Sequence, residues 1–139
     1  MSARTKARKR ALDALYAADV RHADALELLT ATAEEVADRQ NQEAIFDYAE
    51  MLLTGYFANA TEIDNELKML SDGWSLERMP HIDRAILRLG AWEILHNPDV
   101  PNEVAIAEAV ALAGEYSTDD SPKFVNGVLA RLAKGSQAL

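Results

Sequence analysis

PHIDRAILRLGAWEILH, residues 80–96, is the stretch whose reading decides the fold. Ile82, Ile86, Leu87, Leu89, Trp92, Ile94 and Leu95 fall around nearly the whole circumference when wound at about 100° per residue. A helix with no wholly polar side belongs in the centre of a bundle rather than on its surface. Pro80 stands where such a helix can begin, because proline at the first helical position gives up only an orphan donor. Pro101 and Pro122 occupy equivalent places, with Ser121 as a cap before Pro122 and Gly135 as a stop. Helices are therefore predicted near 80–96, 101–116 and 122–134. The middle one is rich in alanine, which suits close packing.

Upstream, Leu12, Leu15, Tyr16 and Val20 mark one stripe of a helix over about 4–22. Further helices are predicted over about 23–38, 42–56 and 61–70, with Thr61 as an N-cap, Gly55 weakening its helix and Ser71–Gly73 forming a turn. Strand-like alternation is absent. The expected architecture is all-α, a compact bundle of about seven helices in one chain-long domain. Two small helical subdomains, about 1–72 and 73–139, are expected within it.

With 139 residues, 49% of them apolar, the chain can close a core of its own. Without cysteine it has no disulfides, thiolate zinc sites or cysteine nucleophiles, which fits a reducing cytoplasm. No apolar run approaches the roughly 18 residues of a membrane span. Asp13 and Asp19 interrupt the first apolar stretch, so a secretory leader is not expected. His22, His81 and His96 lie at no metal-ligand spacing, and neither a nucleophile elbow nor a phosphate-cradling glycine loop is present. Glu34–Glu35 and Asp119–Asp120 are adjacent pairs whose side chains diverge. No enzyme, metal or cofactor is expected.

Charge is the informative asymmetry. The net charge is −9, yet residues 1–12 hold Arg4, Lys6, Arg8, Lys9 and Arg10 and no acid. An acidic body repels nucleic acid at long range, whereas phosphate affinity comes from the cations that touch phosphates. The five cations point in nearly all directions around the helix axis. The first two turns are therefore expected to project beyond the bundle or to lie along a groove rim. Tyr16 lies seven residues from Lys9, on almost the same side. A tyrosine beside cations suits single-stranded RNA, where bases stack and phosphates are neutralised. The competing reading is a charged helix end with Tyr16 in the core.

In the last helix, Val125, Val128, Leu129 and Leu132 form the buried stripe. Lys123, Phe124 and Asn126 flank it as a cation, an aromatic ring and an amide able to read a base edge, and Gly127 permits close approach by a helix or a ligand.

At these residues the chain resembles the NusB family of bacterial transcription antitermination factors. The resemblance rests on ARKRALDALY (Ala7–Tyr16), DRAILRL (Asp83–Leu89), the helix start Val100–Pro101 with Val104 and Glu108–Ala109, and FVNGVL (Phe124–Leu129), in that order and at family length. It implies an all-helical bundle that binds the boxA element of rRNA leader transcripts as single-stranded RNA. It also implies a heterodimer with NusE, a ribosomal protein, that helps load an antitermination complex on RNA polymerase and assists rRNA maturation. Carried over position by position, the RNA-contacting residues implied are Arg4, Lys6, Arg8, Lys9, Arg10, Tyr16, Asp120, Lys123, Phe124 and Asn126. Glu77, Asp83 and Arg88 fall along the RNA and NusE edge as partner contacts. The family includes homodimers, which would bury the basic helix.

Three departures stand out. Thr5–Lys6 replaces a common arginine pair, Ile106–Ala109 reads IAEA where INEA is common, and Pro122 replaces a polar residue. Two other readings compete: a helical protein-interaction module without sequence-specific RNA binding, and a stand-alone relative of the similar domain in rRNA cytosine methyltransferases.

Overall fold

A computed structural model describes residues 1–71 and 73–137 of the chain. Asp72, inside the predicted turn, lies outside the described residues, as do 138–139. Among the described residues there are seven α-helices and no strand: α1 (Ala3–Arg21), α2 (Ala25–Glu35), α3 (Glu43–Ala58), α4 (Ala60–Leu70), α5 (His81–His96), α6 (Asn102–Tyr116) and α7 (Ser121–Gln137). A single 3₁₀ turn, Leu76–Arg78, leads into α5. The all-α expectation is borne out.

Local chemistry sets the boundaries. The Ser2 hydroxyl accepts the Thr5 amide at the start of α1, and the Asp24 carboxylate accepts that of Glu27 at the start of α2. His22 closes α1 in the left-handed conformation, with its own amide and that of Ala23 both donating to the Ala18 carbonyl. Pro80 and Pro101 are extended residues just outside α5 and α6 rather than their first turns. Three capping expectations are corrected. Thr61 lies inside α4, which starts at Ala60 after Asn59. Gly135 does not end α7, which runs on to Gln137. The Ser121 hydroxyl donates to Asp83 at 2.9 Å instead of capping its own helix.

Helix α5 is the hub, packing on α1, α3, α4, α6 and α7. Eleven of its sixteen residues are buried, which leaves it no broad solvent face. Three of those eleven are charged: Asp83, Arg84 and Glu93. Burying charge is costly unless it is paired, and each of the three has a partner from another element. Among the described residues, no buried side-chain nitrogen or oxygen lacks a hydrogen bond.

Gly55 in α3 proves to be a packing requirement. A Cβ there would stand 2.2 Å from the Trp92 indole of α5, so the two helices touch only because the position is bare. A Cβ on Gly127 would meet nothing within 4 Å, so no other helix uses that gap among the described residues. Gly55→Ala should therefore lose at least about 1 kcal/mol in urea unfolding, despite alanine's better helix propensity. Gly127→Ala should gain about 0.5–1 kcal/mol. Equal shifts of one sign in both variants would contradict this packing.

Candidate nucleic-acid interface

The basic segment is organised by the one cation that turns inward. Arg8 is only 4% exposed. Its Nε and Nη2 both donate to the Glu93 carboxylate of α5, each at 2.9 Å, and its Nη1 lies 3.4 Å from Glu108 of α6. The Tyr48 hydroxyl of α3 donates to Glu93 at 2.5 Å and accepts from Asn97 at 3.0 Å. Thr5 adds a hydroxyl donated to Glu108 at 2.6 Å. Burial alone would lower the Arg8 pKa, but the hydrogen bond and the charge of Glu93 outweigh it and raise it instead. Burial and the neighbouring Glu93 likewise push the Tyr48 phenol upward, so it stays a neutral donor.

Of the two placements expected for the first turns of α1, projection is ruled out by this network, because Ala7 and Arg8 are sealed against the bundle. Arg8 is also no free phosphate ligand, since its guanidinium is held by two carboxylates. The remaining cations take the groove-rim placement. Arg4 is exposed and lies 5.1 Å from the centre of the Tyr48 ring. Lys6, Lys9 and Arg10 line an open cleft of about 260 Å³ with Asp13, Gln42, Ile45 and Tyr116. Lys9 reaches Glu115 at 3.2 Å, and Arg10 sits 5.4 Å from the centre of the Phe46 ring. Tyr16, 38% exposed, is outside the core.

A second bracket fixes the α6–α7 corner. Asp83, at the start of α5, accepts hydrogen bonds from the hydroxyls of Ser117 and Ser121 and is 3% exposed. The carboxylate of Asp83, implied as a partner contact, is turned inward here, with one hydrogen bond from a serine on each oxygen. At the same end of α5, Asp19 of α1 accepts from Arg84 Nη2 at 2.5 Å and lies 3.0 Å from His81 Nδ1. Burial would raise the Asp19 pKa, but the hydrogen bonds from His81 and Arg84 prevail and lower it. Together with Lys9–Glu115, these links carry α1 from Lys9 to Asp19 past the end of α6 and the start of α5.

The other sequence candidates fall on both sides of that line. Asp120, Lys123 and Asn126 are exposed, and Phe124 is half-buried. The Phe124 ring lies 5.7 Å from that of Trp74, which is 53% exposed and precedes the 3₁₀ turn. Glu77 is exposed. Arg88 donates twice to Asp64 beside the Tyr56 ring, so its charge is already matched. Sequence reasoning passed over Trp74 and Tyr116. Both are large aromatics outside the predicted apolar stripes, and that was the available signal. No group of three potential metal ligands occurs among the described residues, and no helix there is long and apolar enough to cross a membrane.

Fold and surface together define a small all-helical bundle with a mixed cationic and aromatic edge. The NusB family matches residues 5–134, and the chain belongs to that family of transcription antitermination proteins. It is 52% identical to the transcription antitermination protein NusB of Leifsonia xyli subsp. xyli, over 96% of this chain and 93% of the relative. It is 47% identical to that of a Nocardioides species, over 100% and 99%. Among solved structures it is similar to T. maritima NusB, with a TM-score of 0.84 and 33% identity over 98% and 97% of the two chains. A chain in a crystal structure of NusB and NusE with double-stranded RNA is likewise similar, with a TM-score of 0.84 and 30% identity over 97% and 98%.

Removing Arg8 leaves Glu93 buried and unmatched, so Arg8→Ala should cost about 3–5 kcal/mol in chemical denaturation. Arg4→Ala should stay within about 0.5 kcal/mol of the parent. Arg8→Met combined with Glu93→Leu should recover part of the loss, because both charges leave together while the buried Tyr48 hydroxyl loses its acceptor. An Arg8→Ala protein as stable as Arg4→Ala would show that the ion pair does not hold α1.

Proposed function

We propose that this chain is a non-catalytic, cytoplasmic RNA-binding adaptor of transcription antitermination. It binds boxA-type single-stranded RNA of rRNA leader transcripts together with NusE, and it serves loading of the antitermination complex on RNA polymerase and maturation of rRNA. The observation that carries the reading is the set of exposed cations and aromatic rings on α1 and at the start of α7. Arg4 and Lys6 are exposed at the start of α1, Tyr16 is exposed two turns beyond the Lys9–Glu115 pair, and the α6–α7 corner leads to Lys123, Phe124 and Asn126.

Each group has a task there. Arg4 and Lys6 neutralise phosphates without reading sequence. Tyr16 and Phe124 offer ring faces to unstacked bases, and Asn126 offers both a donor and an acceptor to a base edge. Asp120 sits beside them, in front of α7, with its carboxylate in solvent. Glu77 is the exposed acid left for a basic partner after Asp83 and Arg88 are accounted for inside the bundle. A chain of net −9 gains RNA affinity from a cationic ribosomal protein, which supplies positive charge and matches an acidic surface.

Titration of a short boxA-type single strand, a scrambled strand and a duplex tests the reading, at two salt concentrations and with NusE present or absent. Preference for the boxA strand, strengthened by NusE, is expected. Tyr16→Ala should lose about 1–3 kcal/mol of that affinity with the fold intact. Arg4→Ala and Lys6→Ala should each flatten the salt slope by roughly one. Equal binding of boxA and scrambled strands, even with NusE, would leave a helical protein-interaction module instead.

A further inference from the structure

Tyr116, in the cleft between α1 and the end of α6, is the feature that nothing above uses. Tyr116, the last residue of α6, is 43% exposed and forms one wall. Its main chain is firmly placed: the next residue, Ser117, donates its amide to Ala113 at 2.9 Å and its hydroxyl to the buried Asp83. Lys6, Lys9 and Arg10 of α1 line the same cleft, together with Asp13, Gln42 and Ile45. At about 260 Å³ the cleft falls below the roughly 300–1,000 Å³ of pockets for drug-sized ligands. It is sized for a fragment such as one base.

We propose that this cleft is a nucleotide subsite in which the Tyr116 ring stacks one unpaired RNA base while Lys6 and Arg10 meet the flanking phosphates. The inference rests on the RNA-adaptor reading and extends it to a residue that no sequence motif marked. Asp13 and Gln42 are the groups within the cleft able to accept from an exocyclic amine of that base. Lys9 is held by Glu115 and changes partner from carboxylate to phosphate as the strand arrives. The acids also choose between ligands. Asp13 in the cleft and Glu115 beside it repel any anion, so an acidic peptide has nothing to offer them, whereas a base offers Asp13 an amine donor while its phosphates are met by Lys6 and Arg10. Position makes Tyr116 a bridge. It lines the cleft with the cations of α1, and the corner that follows it, held by the Asp83 bracket, leads into α7 and its Lys123–Asn126 group.

The test is fluorescence anisotropy with a labelled twelve-nucleotide boxA-type single strand (about twelve, enough to span several stacked bases), using the full chain. Tyr116→Ala should weaken binding about 5- to 150-fold, with its circular dichroism and melting unchanged. Tyr116→Phe, which keeps the ring face, should stay within about twofold of the parent. Photo-crosslinking of the parent to the same strand carrying 5-iodouracil should label Tyr116, a measurement that needs no substitution. Parental affinity in a folded Tyr116→Ala protein would overturn the subsite, as would crosslinks confined to other residues. Loss of NusE binding by Tyr116→Ala with RNA affinity unchanged would assign the cleft to protein, against the proposal. Failure of the parent to bind the strand even with NusE present would defeat the adaptor reading itself, and the subsite with it.

Discussion

The buried pair of Arg8 and Glu93 is the constraint on which the rest of the molecule depends. It joins α1 to α5 inside the apolar core, and Tyr48, Asn97 and Glu108 bring α3, the α5–α6 turn and α6 into the same network. A charge in such a place is tolerable only with near-complete matching, so the pair fixes the rotation of α1 about its own axis more strictly than apolar contact would. With Arg8 turned inward, the helical repeat puts Lys6, Lys9 and Arg10 along the cleft, while Arg4, one turn back on the face of Arg8, is left in solvent near the helix start, over the Tyr48 ring. Orientation of the basic segment is thus set from the interior.

The other bracket, at Asp83, does the same for the far end of the edge. Two serines, one at the end of α6 and one at the start of α7, share its carboxylate, so the corner between those helices is tied to the hub. Charged groups on α5 therefore act as anchors: Glu93 for α1, Arg84 for Asp19, Asp83 for the corner. The surface that results is cationic and aromatic on a chain that is otherwise strongly acidic. That contrast confines phosphate attraction to one edge, since the remaining surface repels a polyanion.

Much of this was legible in the sequence. The centrality of α5 followed from its all-round apolar residues, and helix starts near 80, 101 and 122 followed from proline, each within a residue of the observed start. The fate of Arg8 was not read, although two signs existed. It lies four and seven residues before Leu12 and Leu15, on the stripe that faces the core, and Glu93 sits in the helix predicted to be most buried. Pairing them required knowing that the two stripes meet, which is tertiary information. Asp83 was misjudged for the same reason, because an acid at a helix start looks solvated until a neighbouring helix end is laid over it. Tyr116 and Trp74 stayed silent because a single aromatic at a helix end or in a turn carries no periodicity.

On the proposed function the strand lies along α1 and the α6–α7 corner, and amide chemical-shift mapping of the full chain during titration with a boxA-type single strand decides that placement. The largest shifts are expected at residues 4–16 and 116–126, with α2 and the outer face of α4 unmoved. Shifts concentrated on α2 and α4, or spread evenly over the surface, would contradict it.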